Sequence, residues 1–250
     1  MWQPATATLL DQCERDRDRL RQCPWPPDVL ATIHDALIPT FVWASNALEG
    51  YSLTLAETAV ALDGGYGSPT SAREHANVRD HAAAFTAMWE LVAAHADLAP
   101  ADVRALHQLL IQKTLPRAAG VWRRGPVRLA GTDHVPPPAS DVAPLMTVWV
   151  RRCNVASTGY PLLVNAARLH HDFKALHPFE DGNGRTGRLL TAFYLLRRGI
   201  PPCVILPEER PAYLDALDQA RTNQWNPLVQ LMARGVHRTF QQFWEPRLPR

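Results

Sequence analysis

Lysine is almost missing from this 250-residue sequence. Lys113 and Lys174 are its only examples, and arginine supplies the rest of the 26 positive charges. Genomic base composition accounts for that bias as readily as function does, so it identifies no partner. A surplus of one charge sign is missing too, since 24 acidic residues leave a formal net charge of +2. That excludes the lopsided balance of a dedicated nucleic-acid binder, and no direct nucleic-acid partner is expected. No apolar run approaches the ~18 to 20 residues of a membrane helix; the longest stretches lie near 189–196 and 201–207. The opening 1–21 has no secretory apolar centre and is charged from Glu14 to Arg19, so a cytoplasmic product without membrane attachment is expected. Cys13, Cys23, Cys153 and Cys203 show no C-x-x-C spacing, which points to core residues rather than a zinc knuckle or disulfide framework. A phosphate-binding G-x-x-x-x-G-K-(S/T) loop is absent as well.

What is present reads at helical period, punctuated by proline and glycine. With 46% apolar residues the chain can bury a full core as one globular domain. Helices are expected over 5–23, 28–48, 71–95, 100–112, 141–155, 161–176, 184–198, 211–222 and 227–244. Thr54 with Glu57 spells a capping box that opens a further helix, and Gly50 suits the end of the second. Texture changes near residue 120, where Val121-Trp122 and Val127 to Ala130 are β-prone and a Gly131-Thr132-Asp133 turn precedes Val135. We read a small β-hairpin there, with Pro136 to Pro138 blocking its extension.

The informative segment runs from His177 to Arg188 between two helical patterns. It gathers an imidazole, two carboxylates, three glycines, an amide and two arginines into twelve positions. Glycines ahead of a helix let its free N–H groups approach a ligand, and the helix dipole favours an anion there. Gly182, Asn183 and Gly184 thus form a phosphate cradle. Arg185 and Arg188, three apart, are placed to reach one anion together. Asp181, at the rim, is suited to Mg²⁺ bridging phosphate oxygens. His177, at a helix end, has a side chain that titrates near neutrality and can accept a proton. Together these are parts for nucleotidyl or phosphoryl transfer. Phe179 reads as a packing anchor and Glu180 as a solvated residue.

Two rival readings use the same residues. Gly182-x-Gly184-x-x-Gly187 matches the dinucleotide fingerprint in form, but that fingerprint follows a strand and this one follows an amphipathic helix. A metal-dependent phosphohydrolase would draw on His170, His177, His171, Asp172 and Asp181. His170 shares its stripe with apolar residues, and a hydrolase gains nothing from the glycines and paired arginines.

His177 to Arg188 resembles the signature loop of the Fic (Fic/Doc) family, H-x-F-x-(D/E)-G-N-G-R-x-x-R, at every defined position. Gly120-Val121-Trp122-Arg123 and the expected hairpin resemble the family's flap, and Ser45 to Gly50 resembles its inhibitory motif, (S/T)-x-x-x-E-(G/N). The likeness covers about 200 of the 250 residues at pattern level. It implies an all-α, Fic-like fold with the hairpin flap over the active site. N-terminal helices over 1–100, with an inhibitory helix at about 28–50, would pack on a catalytic core over 101–250.

The resemblance also implies a reaction, AMPylation: transfer of AMP from ATP to a Ser, Thr or Tyr hydroxyl of a target protein. His177 would take the hydroxyl proton, Asp181 would hold Mg²⁺, and Asn183 would orient the α-phosphate. Gly182 and Gly184 would supply the backbone cradle, with Arg185 on the β-phosphate and Arg188 on the γ-phosphate. The flap would register the target by strand pairing. Ser45 and Glu49 would be inhibitory, with Glu49 neutralising Arg188. Tyr213 and Asn226 are candidate adenine-side contacts, and a homo-oligomer is compatible with the pattern. Alternatives on this scaffold are removal of AMP or a related phosphate transfer, and a non-catalytic toxin–antitoxin binding module.

Overall fold

The computed structural model describes residues 2–65, 72–129, 132–155 and 161–249. Its helices are α1 (Pro4–Arg21), α2 (Pro27–Ala47), α3 (Leu55–Leu62), α4 (Ala72–Ala93), α5 (Pro100–Ile111), α6 (Val142–Asn154), α7 (Leu162–Leu176), α8 (Asn183–Leu196), α9 (Arg210–Arg221) and α10 (Asn226–Thr239). The fold is helical, and α8 is its hub, flanked by α2, α4, α5 and α7. Every residue from Asn183 to Leu195 is buried, including two arginines in its first two turns. Burying those charges requires partners, because an unpaired ion in low dielectric is costly. Much of the site follows from that requirement.

One apolar core runs through the molecule and takes in Leu10 of α1, Phe41 of α2, Phe85 of α4, Leu110 of α5, Phe173 of α7, Leu190 of α8 and Phe240 beyond α10. Local signals place the element ends. Thr54 Oγ1 accepts from Glu57 N (3.2 Å) while Glu57 Oε2 accepts from Thr54 N (2.9 Å), the capping box expected at α3. Gly50, at φ +91°, closes α2: the N–H groups of Gly50 and Tyr51 turn back to the carbonyls of Ala47 and Asn46. Cys13, Cys153 and Cys203 are buried free thiols, and burial pushes each up to about 12. No helix among the described residues is long and apolar enough to cross a membrane.

The expected β-hairpin is not there: among the described residues of 121–138 no strand forms. Ala130 and Gly131, at the expected turn, lie outside the described residues. Pro126 and Pro136 to Pro138 lack N–H groups that a ladder would need, and a side chain replaces the ladder. Arg123 donates from Nη1 to Gly125 O (3.0 Å) and from Nη2 to Pro137 O (2.6 Å), joining the two arms through one guanidinium.

Candidate active site

α7 stops at His177 because the next residue is proline, which disfavours helical backbone before it. His177 lies in the left-handed region, φ 50° and ψ 61°, a conformation that costs a non-glycine residue roughly 1–2 kcal/mol. Arg123 holds it there: Nε donates to His177 O (2.8 Å), Nη2 meets Leu176 O (3.4 Å), and the Arg123 N–H meets Pro178 O (2.9 Å). His177 Nδ1 faces Lys174 O at 3.4 Å. A carbonyl only accepts, so Nδ1 carries the hydrogen and Nε2 is left basic. Burial, then the Lys174 ammonium, pulls the ring down to about 4. The imidazole is therefore neutral at pH 7 and ready to receive a proton.

The loop after His177 is tied from within. Asn183 accepts from Phe179 N at Oδ1 and donates from Nδ2 to Phe179 O, both at 2.9 Å. Its amide is spent on the loop and not turned outward. Phe179, fully buried, stacks on His107 of α5 with ring centres 3.5 Å apart. His107 donates from Nε2 to Asp181 O (2.9 Å) and accepts Gly120 N–H at Nδ1 (3.0 Å). Burial keeps that ring neutral, at about 4. Glu180 is exposed and pairs with exposed Arg117, a solvated contact of small energetic weight.

Gly182 needs its missing side chain twice over, for φ +75° and because a methyl would press on Ile111 Cγ2 at 3.0 Å. Gly184 needs it for another reason. A Cβ there would collide with the carboxylate of Glu49, whose Cδ would be 2.7 Å away. The end of α2 thus lays a carboxylate directly on the N-terminal turn of α8, where the helix dipole favours an anion.

Arg188 holds that carboxylate. Its Nη2 donates to Glu49 Oε1 and to Ser45 O, both at 2.7 Å, and its Nε donates to Ser45 Oγ at 2.8 Å. Arg188 is buried, whereas Glu49 is about one-third exposed. Burial alone would raise the Glu49 carboxyl; Arg188, with Lys174 and Arg185 behind it, outweighs burial and takes it to about 2. Arg185 does not join Arg188 on a shared partner. Its Nη1 donates to Asn77 Oδ1 of α4 (2.8 Å) and its guanidinium lies over the Tyr51 ring. A buried acceptor on α4 has drawn it sideways, so it reaches Glu49 through space only.

Beside His177 and Glu49 opens a cavity of about 240 Å³, lined also by Arg128, Lys174, Arg188, Arg210, Tyr213 and Arg221. Lys174, half-buried, lines it with its ammonium pKa lowered, by desolvation first, against the opposing pull of Glu49. Arg221 contacts Asp218 and the Thr132 hydroxyl, and Arg210 donates to Leu48 O at the end of α2. The cavity is thus rich in cations, with Glu49 and Asp218 as its anions. The sequence reading missed Lys174, Arg210, Arg221 and His107; only a polar break at His107 in the apolar stripe of α5 could have flagged one of them.

Tyr213 lines the cavity but turns its hydroxyl to His170. Asn226 lies elsewhere, accepting Gln3 N–H at the start of α1 (3.0 Å). The phosphohydrolase ligand set does not assemble. His170 engages the hydroxyls of Thr191 and Tyr213, while Asp172 pairs with His171 and Arg152. Among the described residues no three metal-ligating side chains gather.

Residues 97–195 match the model of the Fic/DOC family. Over 243 residues the chain is 31% identical to the protein adenylyltransferase Fic of Drosophila melanogaster, covering 90% of this chain and 48% of that protein. Against the protein adenylyltransferase Fic of Nematostella vectensis the identity is 29%, over 94% of this chain and 55% of the other. Two solved structures share the fold. Fic-1 of C. elegans (residues 134–508) superposes with a TM-score of 0.81 at 24% identity, covering 97% of this chain and 72% of that one. A Fic family protein from Desulfovibrio desulfuricans gives 0.76 at 26% identity, covering 97% and 74%. The chain belongs to the Fic/DOC family. It spans about half the length of the adenylyltransferases it matches.

Proposed function

We propose that this chain is a protein adenylyltransferase that transfers AMP from ATP to a hydroxyl side chain of a target protein and is restrained by Glu49. One observation carries the reading: the Glu49 carboxylate covers Gly184 and holds Arg188, on the helix terminus and the guanidinium that a triphosphate would need. An anion already occupies an anion cradle beside a neutral imidazole.

In the released state the N-terminal turn of α8 and Arg188 would hold the β- and γ-phosphates, while Asn183 keeps the loop in shape from within. Arg185, Lys174 and Arg221 add positive potential. His177 Nε2 takes the hydroxyl proton as that oxygen bonds the α-phosphorus. The bond from the α-phosphorus to the bridging oxygen breaks, and pyrophosphate leaves with the electron pair. A positioned base of this kind is worth ~10² to 10⁴ in rate; alignment and fixed charge supply the rest. Asp181 fits a Mg²⁺ ion that arrives with the nucleotide. Gly182 N–H takes one oxygen of this exposed carboxylate, and the other is uncommitted. Such an ion keeps most of its water and neutralises phosphate charge.

The target would be read along the segment beside the C-terminal end of α7. His134 Nε2 donates there to Ala175 O (2.8 Å), and Val135 stands 82% exposed next to it. The test uses ATP labelled on the α- or the γ-phosphorus, with Mg²⁺ and the Glu49→Gly variant. Protein-bound α-label alone supports the proposal. Label from the γ-position makes the chain a kinase, and no label from either makes it a non-catalytic module.

A further inference from the structure

Five basic side chains line the cavity, Arg128, Lys174, Arg188, Arg210 and Arg221, against the two carboxylates of Glu49 and Asp218. Arginines hold both carboxylates, Glu49 at 2.7 Å from Arg188 and Asp218 at 2.6 Å from Arg221. Arg210 has the Leu48 carbonyl, and Arg128 is exposed to water. Lys174 is half-buried, and among the described residues its ammonium makes no hydrogen bond or ion pair. The other lysine of the chain, Lys113, is paired with Asp80 at 2.9 Å.

A helix dipole favours a cation in the last turn, where Lys174 lies, and an exposed side chain would serve that purpose. Lys174 instead faces a cavity crowded with arginines, where like charge and lost water both work against it. Packing shows which part of the cavity it faces. A Cβ on Gly187 would meet Phe173 Cδ1 at 3.1 Å and His170 Cε1 at 3.7 Å, so α7 runs beside α8 with 173–174 level with 187–188. Lys174 thus stands about one helical turn back from His177, beside Arg188 rather than beside Gly184. The triphosphate reading puts the α-phosphate at His177 and the γ-phosphate at Arg188, so Lys174 faces the γ end.

We propose that Lys174 is a γ-phosphate ligand that grips the end of the triphosphate together with Arg188. The inference rests on the adenylyltransferase reading and assigns the preference for triphosphate over diphosphate to a residue outside the 177–188 loop. It also orders the exchange at the switch. Arg188 must give up Glu49 before it can take a phosphate, whereas the Lys174 ammonium has no bond to break.

The test compares ATP and ADP dissociation constants, by calorimetry with Mg²⁺, in the Glu49→Gly protein and in the same protein carrying Lys174→Gln or Lys174→Arg. Glutamine keeps most of the length and removes the charge. ATP affinity is expected to fall roughly ten-fold in Lys174→Gln, as for a lost bond to a charged group, with ADP affinity within about two-fold of the parent. Lys174→Arg keeps the charge and is expected to restore most of the preference for ATP. A lysine that served only α7 or His177 would leave both constants unchanged, and a general field would weaken both nucleotides alike; either result overturns the proposal. No measurable ATP binding by Glu49→Gly overturns it too. Binding is read without transfer, so a Glu49→Gly protein that prefers ATP through Lys174 yet transfers no α-label removes the adenylyltransferase reading and leaves the phosphate ligand in place. Transfer of α-label with an ATP-to-ADP ratio indifferent to Lys174→Gln does the reverse.

Discussion

The carboxylate of Glu49 lies 2.7 Å from Nη2 of Arg188, across 139 positions of sequence. Its Cδ stands where a side chain on Gly184 would have to go. One contact therefore ties the end of α2 to the start of α8. It holds the buried arginine that most needs a counter-charge and fills the space at the helix terminus.

The pairing sets a pH window. Folding lowers the Glu49 pKa from 4.5 to about 2. The stabilisation is thus fully present above the ordinary carboxylate range and is lost as pH falls from about 4.5 through about 2. Mild acidification to pH 6 should not loosen α2. The difference in melting temperature between the native protein and Glu49→Gln should be flat above about pH 5 and shrink below it; a loss already at pH 6 would contradict the assigned shift.

His177 titrates in the opposite sense for function. Its lowered pKa, about 4, leaves the base form filled at neutral pH. Labelling by Glu49→Gly should be flat between pH 6 and 8 and fall only as pH drops toward 4. Lys174→Met removes one of the charges that depresses the ring, so the acid limb should move upward. An unmoved limb would detach Lys174 from the base.

Arg123 binds the carbonyls of Leu176, His177, Gly125 and Pro137 with one guanidinium. Arg123→Met should lower stability by about 3 kcal/mol, the order expected when buried carbonyls lose charged donors. His177 should also leave its left-handed backbone. Denaturant unfolding checks the first point and the loss of labelling in the Glu49→Gly background checks the second.

Much of this was legible in the chain, because local chemistry writes local structure. Thr54 with Glu57, and Gly50, each act over a few residues, and each appears where the sequence placed it. The hairpin was misjudged because β-prone residues could not outweigh four prolines and a guanidinium that takes the carbonyls of both arms. Arg185 was misdirected for a related reason. Spacing places it beside Arg188, but Asn77, 108 residues away, was invisible to any local pattern. His107, which ties Asp181 to Gly120, was hidden in the same way.

Gly184→Ala separates clamp from cradle. The methyl must push the Glu49 carboxylate away, which weakens the hold on Arg188, yet it fills the space a phosphate would use. The variant should lose nucleotide binding and gain no labelling. Labelling as strong as in Glu49→Gly would show that Gly184 does not face the nucleotide.

The most direct measurement is self-labelling from α-labelled ATP in three proteins: native, Glu49→Gly, and Glu49→Gly with His177→Ala. The account predicts weak label in the first, at least ten-fold more in the second, and none above background in the third. Equal label in native and Glu49→Gly proteins, both folded, or label that persists without His177, would contradict it.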